Sequence, residues 1–190
     1  MSEEAKPLRA DARRNRARVL EAAEAVLARD GVAASMRAVA QEAGVGLGTI
    51  YRHFPTRETL YEAILVARME RLVEHVPALC EAEDAGAAFF GFFTDIVDNA
   101  TRMRAVADVL SDAGVDVKAG MSTVGSAVRA AVETLLVRAQ EQGAVREDLR
   151  IPEALALLGA VCMAAERNQW EAELRDRVLG VVFDGCRPRR

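Results

Sequence analysis

Cysteine, histidine and proline are all scarce in this 190-residue chain, and each scarcity removes a class of protein. The three cysteines, Cys80, Cys162 and Cys186, are odd in number, scattered and in no CxxC pairing. That argues against a disulfide frame or a metal site and for reduced thiols in the core or at the surface. His53 and His75 are the only histidines. With no G-x-S-x-G elbow, phosphate loop or paired metal-ligand motif beside them, an enzyme has little to stand on, and no cofactor or metal is implied. Five prolines against abundant alanine, leucine, glutamate and arginine favour helix throughout. No run of about 18 apolar residues exists to span a bilayer. The first twenty residues are polar and basic, without the apolar segment of a secretory leader. The expectation is a cytoplasmic protein with no membrane partner.

What is present fits a globular chain: 51% of residues are hydrophobic and 28% charged. The length allows one medium domain, or a small head joined to a larger body. Net charge is −4, which argues against a general nucleic-acid coat, but its distribution is uneven. Residues 1–60 hold ten Lys+Arg against eight Asp+Glu, while 61–190 hold fifteen against twenty-one. A weakly basic head on an acidic body suits a protein that meets phosphate at one end only.

Residues 35–54, SMRAVAQEAGVGLGTIYRHF, organise that head. Ser35 is placed to cap a helix through its hydroxyl. Met36, Val39, Ala40 and Ala43 recur at i, i+3, i+4 and i+7, one apolar stripe. Gly44 stands where the helix would end in a left-handed residue, a conformation cheap only for glycine. Val45 can plug the angle between helices, and Gly46 opens a second helix from Leu47 to Phe54. Ile50 and Phe54 would face inward on it, with Thr49, Tyr51, Arg52 and His53 around the other sides. Two helices joined by a tight glycine turn form the helix-turn-helix plan, whose second helix enters the DNA major groove. Spacing alone fits an ordinary αα-hairpin equally well.

The wording of the second half separates these readings. From Gly46 to Leu60 the chain reads G-x-G-T-I-Y-R-H-F-P-T-R-E-T-L, which closely resembles the DNA-reading signature of the TetR family of bacterial one-component regulators. The resemblance covers roughly Arg13 to Ile64. Gly46 departs from the pattern, since many members carry a capping serine there; glycine is nearly as good at that position. The resemblance implies an all-α protein of about nine helices. Residues 1–55 would form an N-terminal arm and three-helix DNA-binding head, and 56–190 a body for effector binding and dimerisation. It further implies a homodimer paired through the last two helices as a four-helix bundle, on a palindromic operator in double-stranded DNA.

In chain order, residues 1–11 read as a mobile arm. Arg13, Arg14, Arg16 and Arg18 crowd the start of the first helix, where they would oppose its dipole. Beside a DNA-reading motif, one or two of them, Arg14 foremost, become phosphate contacts. The helix continues through Val19, Ala23, Val26 and Leu27 to Asp30-Gly31. Thr56 can cap a long connecting helix from Arg57 to about Val76, roughly 30 Å at 1.5 Å per residue, which Pro77 stops. The body then offers a helix from Gly86 to Met103 and a short one from Val106 to Asp112. Residues 113–120 form its clearest loop. Further helices run from Met121 to Gln142, from near Pro152 through Ala165, and along the stripe Leu174, Val178, Val181, Val182 and Gly185.

Among site candidates, Thr49 and Tyr51 would place hydroxyls on phosphate or base edges. Arg52 has the planar fork that pairs with guanine O6 and N7. Leu47 and Gly48 at the helix tip would touch thymine methyls or admit the DNA backbone. Arg37 on the preceding helix is a phosphate candidate. The resemblance implies that His53 binds phosphate and that Tyr51 and Arg57 occupy comparable positions; Ser35 and Gly46 complete the DNA-binding set. In the body, Phe89, Phe93, Met103, Met121, Met163 and Trp170 are large apolar side chains that could line a pocket, although such stripes also make plain core. They suit a small, largely apolar effector of unknown identity. The leading expectation is a ligand-released repressor; an enzyme or a helical adaptor that only resembles a regulator is the alternative.

Overall fold

The computed structural model describes residues 5–115 and 122–188, with the side chains of 15–115 and 124–188. The described residues are helical, with no strand among them: α1 (Ala5–Asp30), a 3-10 turn (Gly31–Ala33), α2 (Met36–Ala43), α3 (Leu47–His53), α4 (Arg57–Glu74), α5 (Val76–Glu81), α6 (Ala85–Asp112), α7 (Ser122–Glu141), α8 (Ile151–Asn168) and α9 (Ala172–Cys186). They divide into two compact units, Met1–Ala67 with Ala105–Val117, and Arg68–Arg104 with Lys118–Arg190. No helix among the described residues is long and apolar enough to cross a membrane.

In the first unit the expected stripe of α1 is fully inside: Val19, Ala23, Val26 and Leu27 are buried, with Val39 and Ala40 of α2 and Ile50 of α3. At the start of α1 the structure corrects the sequence reading. Residues 5–11 are helix rather than a mobile arm, because Pro7 falls in the first turn, where a missing N–H costs nothing. Arg13 to Arg18 therefore lie beyond the first turn, and the dipole conflict expected of them does not arise.

Thr56 caps α4 as expected. Its Oγ1 accepts the Thr59 N–H at 3.2 Å, and Thr59 Oγ1 accepts the Thr56 N–H at the same distance. α4 ends at Glu74, and Pro77 begins the next helix as much as it stops the last, sitting in the first turn of α5. α6 runs unbroken where two helices were expected, since neither glycine nor proline separates Met103 from Val106 and both are buried along with Leu110.

The second unit is built on aromatic and aliphatic packing. Phe183 of α9 lies 4.6 Å from Phe90 and 5.6 Å from Phe93 of α6, centroid to centroid. Leu135, Ala139, Val145, Leu158 and Ala165 are buried with them. Polar side chains hold its ends. Arg138 donates to the carbonyls of Leu79 and Ala82, both at 3.2 Å, and Gln142 accepts from the Ala85 N–H while donating to Glu83 O. Arg175 Nε sits 2.8 Å from Asp98 Oδ1, tying α9 to α6 through charge, because the N–H is not aligned for a hydrogen bond. Burial pushes the Cys162 thiol up to about 12, so it stays protonated at neutral pH.

The stripe of α9 faces the other way from a core stripe. The side chains that α9 buries fully are Leu179 and Cys186, whereas Leu174 is 45% and Val181 74% exposed. On α8, Leu157 and Met163 are likewise 37% and 56% exposed.

One backbone approach in this unit is unusually close. A Cβ built on Gly86 would stand 2.6 Å from the Ala144 Cβ, nearer than carbon atoms tolerate, and neither atom can swing aside. Gly86→Ala should therefore lower stability in denaturant titration by about 1–3 kcal/mol through overpacking. Adding Ala144→Gly should recover most of that loss; a double variant as unstable as the single one would place the cause elsewhere.

Candidate nucleic-acid interface

Two local devices hold α2 and α3 at their angle. Ser35 Oγ accepts the Ala38 N–H at 3.1 Å, capping α2 from an extended backbone. Gly44 has φ +64, ψ 34, left-handed as its identity suggests. The Val45 N–H reaches back to Ala40 O at 3.0 Å and the Gly44 N–H to Gln41 O at 3.2 Å, so the last carbonyls of α2 are satisfied while the chain turns. α3 follows from Gly46, which is extended (φ −68, ψ 145) and gives no side-chain cap.

α3 is anchored by Ile50, 0% exposed, and by Phe54 just beyond its end, 2% exposed. With those two inside, Gly48, Tyr51 and Arg52 share the outer face at i, i+3 and i+4, and all three are exposed. Leu47, Thr49 and His53 flank this face half-buried, and the His53 ring lies 6.3 Å from that of Phe54. Arg37 on α2 is also exposed. A Cβ at Gly48 would meet nothing within 4 Å, so the fold of this chain does not require glycine there.

Several of the other cations are occupied inside the head. Arg16 places its guanidinium 5.3 Å from the Phe54 ring centroid, within cation–π range. Arg18 donates to Ala43 O at 3.3 Å, a cation on the carbonyl end of α2. Arg57 donates to Val32 O at 3.3 Å and lies 5.7 Å from the Tyr61 ring. The Tyr61 hydroxyl donates to the same carbonyl at 3.1 Å. Sequence reasoning missed the parts played by Arg16, Arg18 and Tyr61. The i, i+4 spacing of Arg57 and Tyr61 was the available signal for the last. The side chain of Arg14 lies outside the described residues.

The five effector candidates among the described residues do not gather in one place. Phe89 and Phe93 are core, 6.5 Å apart and edge-on. Met103 is buried with its sulfur 3.7 Å from Arg68 Nη1, Met163 is exposed on α8, and Trp170 is half-buried just past the end of that helix. Met121 lies outside the described residues. A groove of about 450 Å³ opens instead between α8 and α9, lined by the apolar Leu149, Leu157, Val181 and Val182 and by the charged Arg146, Asp148 and Glu153.

Comparison with known proteins agrees with this architecture. Residues 19–64 match the family described as bacterial regulatory proteins, tetR family. Residues 84–188 match that described as transcriptional regulator SbtR-like, C-terminal domain. The crystal structure of a TetR transcription regulatory protein from Mycobacterium vanbaalenii is 38% identical, covers 96% of this chain and 100% of that one, and superposes with a TM-score of 0.75. A TetR transcriptional regulator from Streptomyces coelicolor is 31% identical over 92% of this chain and 99% of its own, with a TM-score of 0.72. An HTH-type transcriptional regulator of Staphylococcus aureus is 35% identical over 69 residues, which span 36% of this chain and 37% of that protein. With a reading head and a helical body both matched, the chain belongs to the TetR family and is a DNA-binding transcriptional regulator.

Proposed function

We propose that the protein is a homodimeric repressor, released from a palindromic operator by a small, largely apolar ligand. The observation that carries the DNA half of this reading is the outer face of α3. Gly48, Tyr51 and Arg52 lie there in solvent, and the fold does not need glycine at position 48. On this reading Arg52 pairs bidentately with a guanine edge. Thr49 and Tyr51 use their hydroxyls on phosphate or base edges, His53 and Arg37 meet phosphate, and Gly48 lets the DNA backbone approach Leu47 and the helix tip. Ser35 keeps a hydroxyl proton to donate to phosphate while its oxygen serves as the cap.

The dimer half rests on the outward stripe of α8 and α9. Leu157, Met163, Leu174 and Val181 are exposed although a core would have welcomed them, and a second copy of the same face covers them. One short reading helix contacts few bases, so paired heads about 34–36 Å apart supply affinity together. The effector is the least constrained part. What supports it is the aromatic interior of the body at Phe89 and Phe93.

Linkage gives the regulatory step its thermodynamic form. A ligand releases the repressor only if it binds the DNA-incompetent arrangement more tightly, and DNA must then weaken ligand binding by the same factor.

Three measurements test this reading. Gly48→Ala should leave thermal stability unchanged or raise it by about 0.5–1 kcal/mol, since alanine suits a helix better, yet weaken operator binding; unaltered binding would remove α3's tip from the interface. Arg52→Ala should cost about 1–3 kcal/mol at particular base pairs, whereas Arg37→Ala should weaken all sequences alike and make the salt slope shallower by about one unit. Exchange of those two profiles would reverse the assigned roles. A candidate effector titrated into free protein and into the protein–operator complex should bind the complex more weakly, and equal affinities would sink the coupling for that compound.

A further inference from the structure

The carbonyl of Val32 receives two donors from one helix. Tyr61 Oη approaches it at 3.1 Å and Arg57 Nη1 at 3.3 Å, one helical turn apart on α4. A carbonyl oxygen has two lone pairs, so both bonds can be made at once. Arg57 also lies 5.7 Å from the Tyr61 ring, so the two donors brace each other. Tyr61 is 1% exposed, and a buried hydroxyl without a partner is costly, which makes its bond to Val32 an obligation of the fold. Burial raises the phenol above its usual range, against the Arg57 charge, and keeps it a neutral donor.

Val32 is the middle residue of the 3-10 turn that joins α1 to α2, three residues before the Ser35 cap. From there the path to the reading helix is short and stiff: the capped α2, the two backward bonds at Gly44 and Val45, then α3. We infer that the Val32 carbonyl is a latch, and that Tyr61 and Arg57 are positioning residues which fix α2 and α3 to the first turns of α4. This rests on the reading that α3 meets DNA, and it gives Arg57 a duty other than the phosphate contact expected of it. The buried Leu60 and Ile64 already pack the beginning of α4 into the core; the latch adds a directional link through which its reorientation is passed to α2 and α3.

The test uses full-length Tyr61→Phe, Arg57→Gln and the double variant, followed by hydrogen exchange on the free protein and by operator binding across a salt series. Tyr61 is buried and uncharged, so its hydroxyl is no phosphate anchor and its loss must act through position. Tyr61→Phe should speed amide exchange in residues 36–53 more than in α1, raise the operator Kd about three- to tenfold, and leave the salt slope as it was. Arg57→Gln should do the same, and the two effects should be non-additive, as expected of donors that share one acceptor. Unchanged exchange in 36–53 would overturn the latch, as would acceleration spread equally over α1, which marks a general loss of core. A salt slope reduced by about one unit in Arg57→Gln, with exchange unaltered, would return Arg57 to plain phosphate contact. If the unaltered protein binds no operator, the proposed function fails, while hydrogen exchange still decides the latch.

Discussion

Burial of Ile50 and Phe54 fixes the rotation of α3, and the rest of the reading head follows from it. Each such side chain contributes about 1.5–3 kcal/mol when removed from water, enough to define one rotational setting of a helix only seven residues long. A helix that short has little stability of its own. Its orientation therefore comes from these two anchors, from the left-handed turn at Gly44 and from the cap at Ser35. With the apolar side fixed, Tyr51 and Arg52 are presented outward. Arg16 on the Phe54 ring and Arg18 on the end of α2 tighten the same anchor from α1.

The body solves a different problem with the same means. Its interior is closed by Phe90, Phe93 and Phe183 and by the polar clamps of Arg138 and Gln142. That leaves α8 and α9 with apolar side chains their own unit does not bury. The groove beside Leu157 and Val181 belongs to the same surface.

Much of this was legible in the residues, and the limits have physical causes. Ser35, Gly44, Ile50, Phe54 and Thr56 act as their types and spacings predicted, because caps, left-handed turns and i, i+4 anchors are local rules. Long-range pairings are not local. That Arg16 would lie on Phe54, or Arg57 and Tyr61 on Val32, depends on which segments fold together. The α9 stripe was visible as a stripe, but periodicity says only that one face is apolar. It does not say whether that face looks inward, and Val181 at 74% exposure shows that here it does not. The described effector candidates lie apart for a similar reason. Large apolar residues at helical spacing describe core and pocket alike, and Phe89 and Phe93 are core while Met163 is surface.

The central claim is that the outer face of α3 reads specific DNA as one of a pair. Footprinting of the purified protein on the intergenic region upstream of its own gene tests it most directly, with scrambled DNA of equal composition as the competitor. The account predicts protection of a palindrome whose half-sites lie about one duplex turn apart, lost as salt rises and little affected by the competitor. Protection that the scrambled DNA removes as readily, or no protection at low salt, would contradict it.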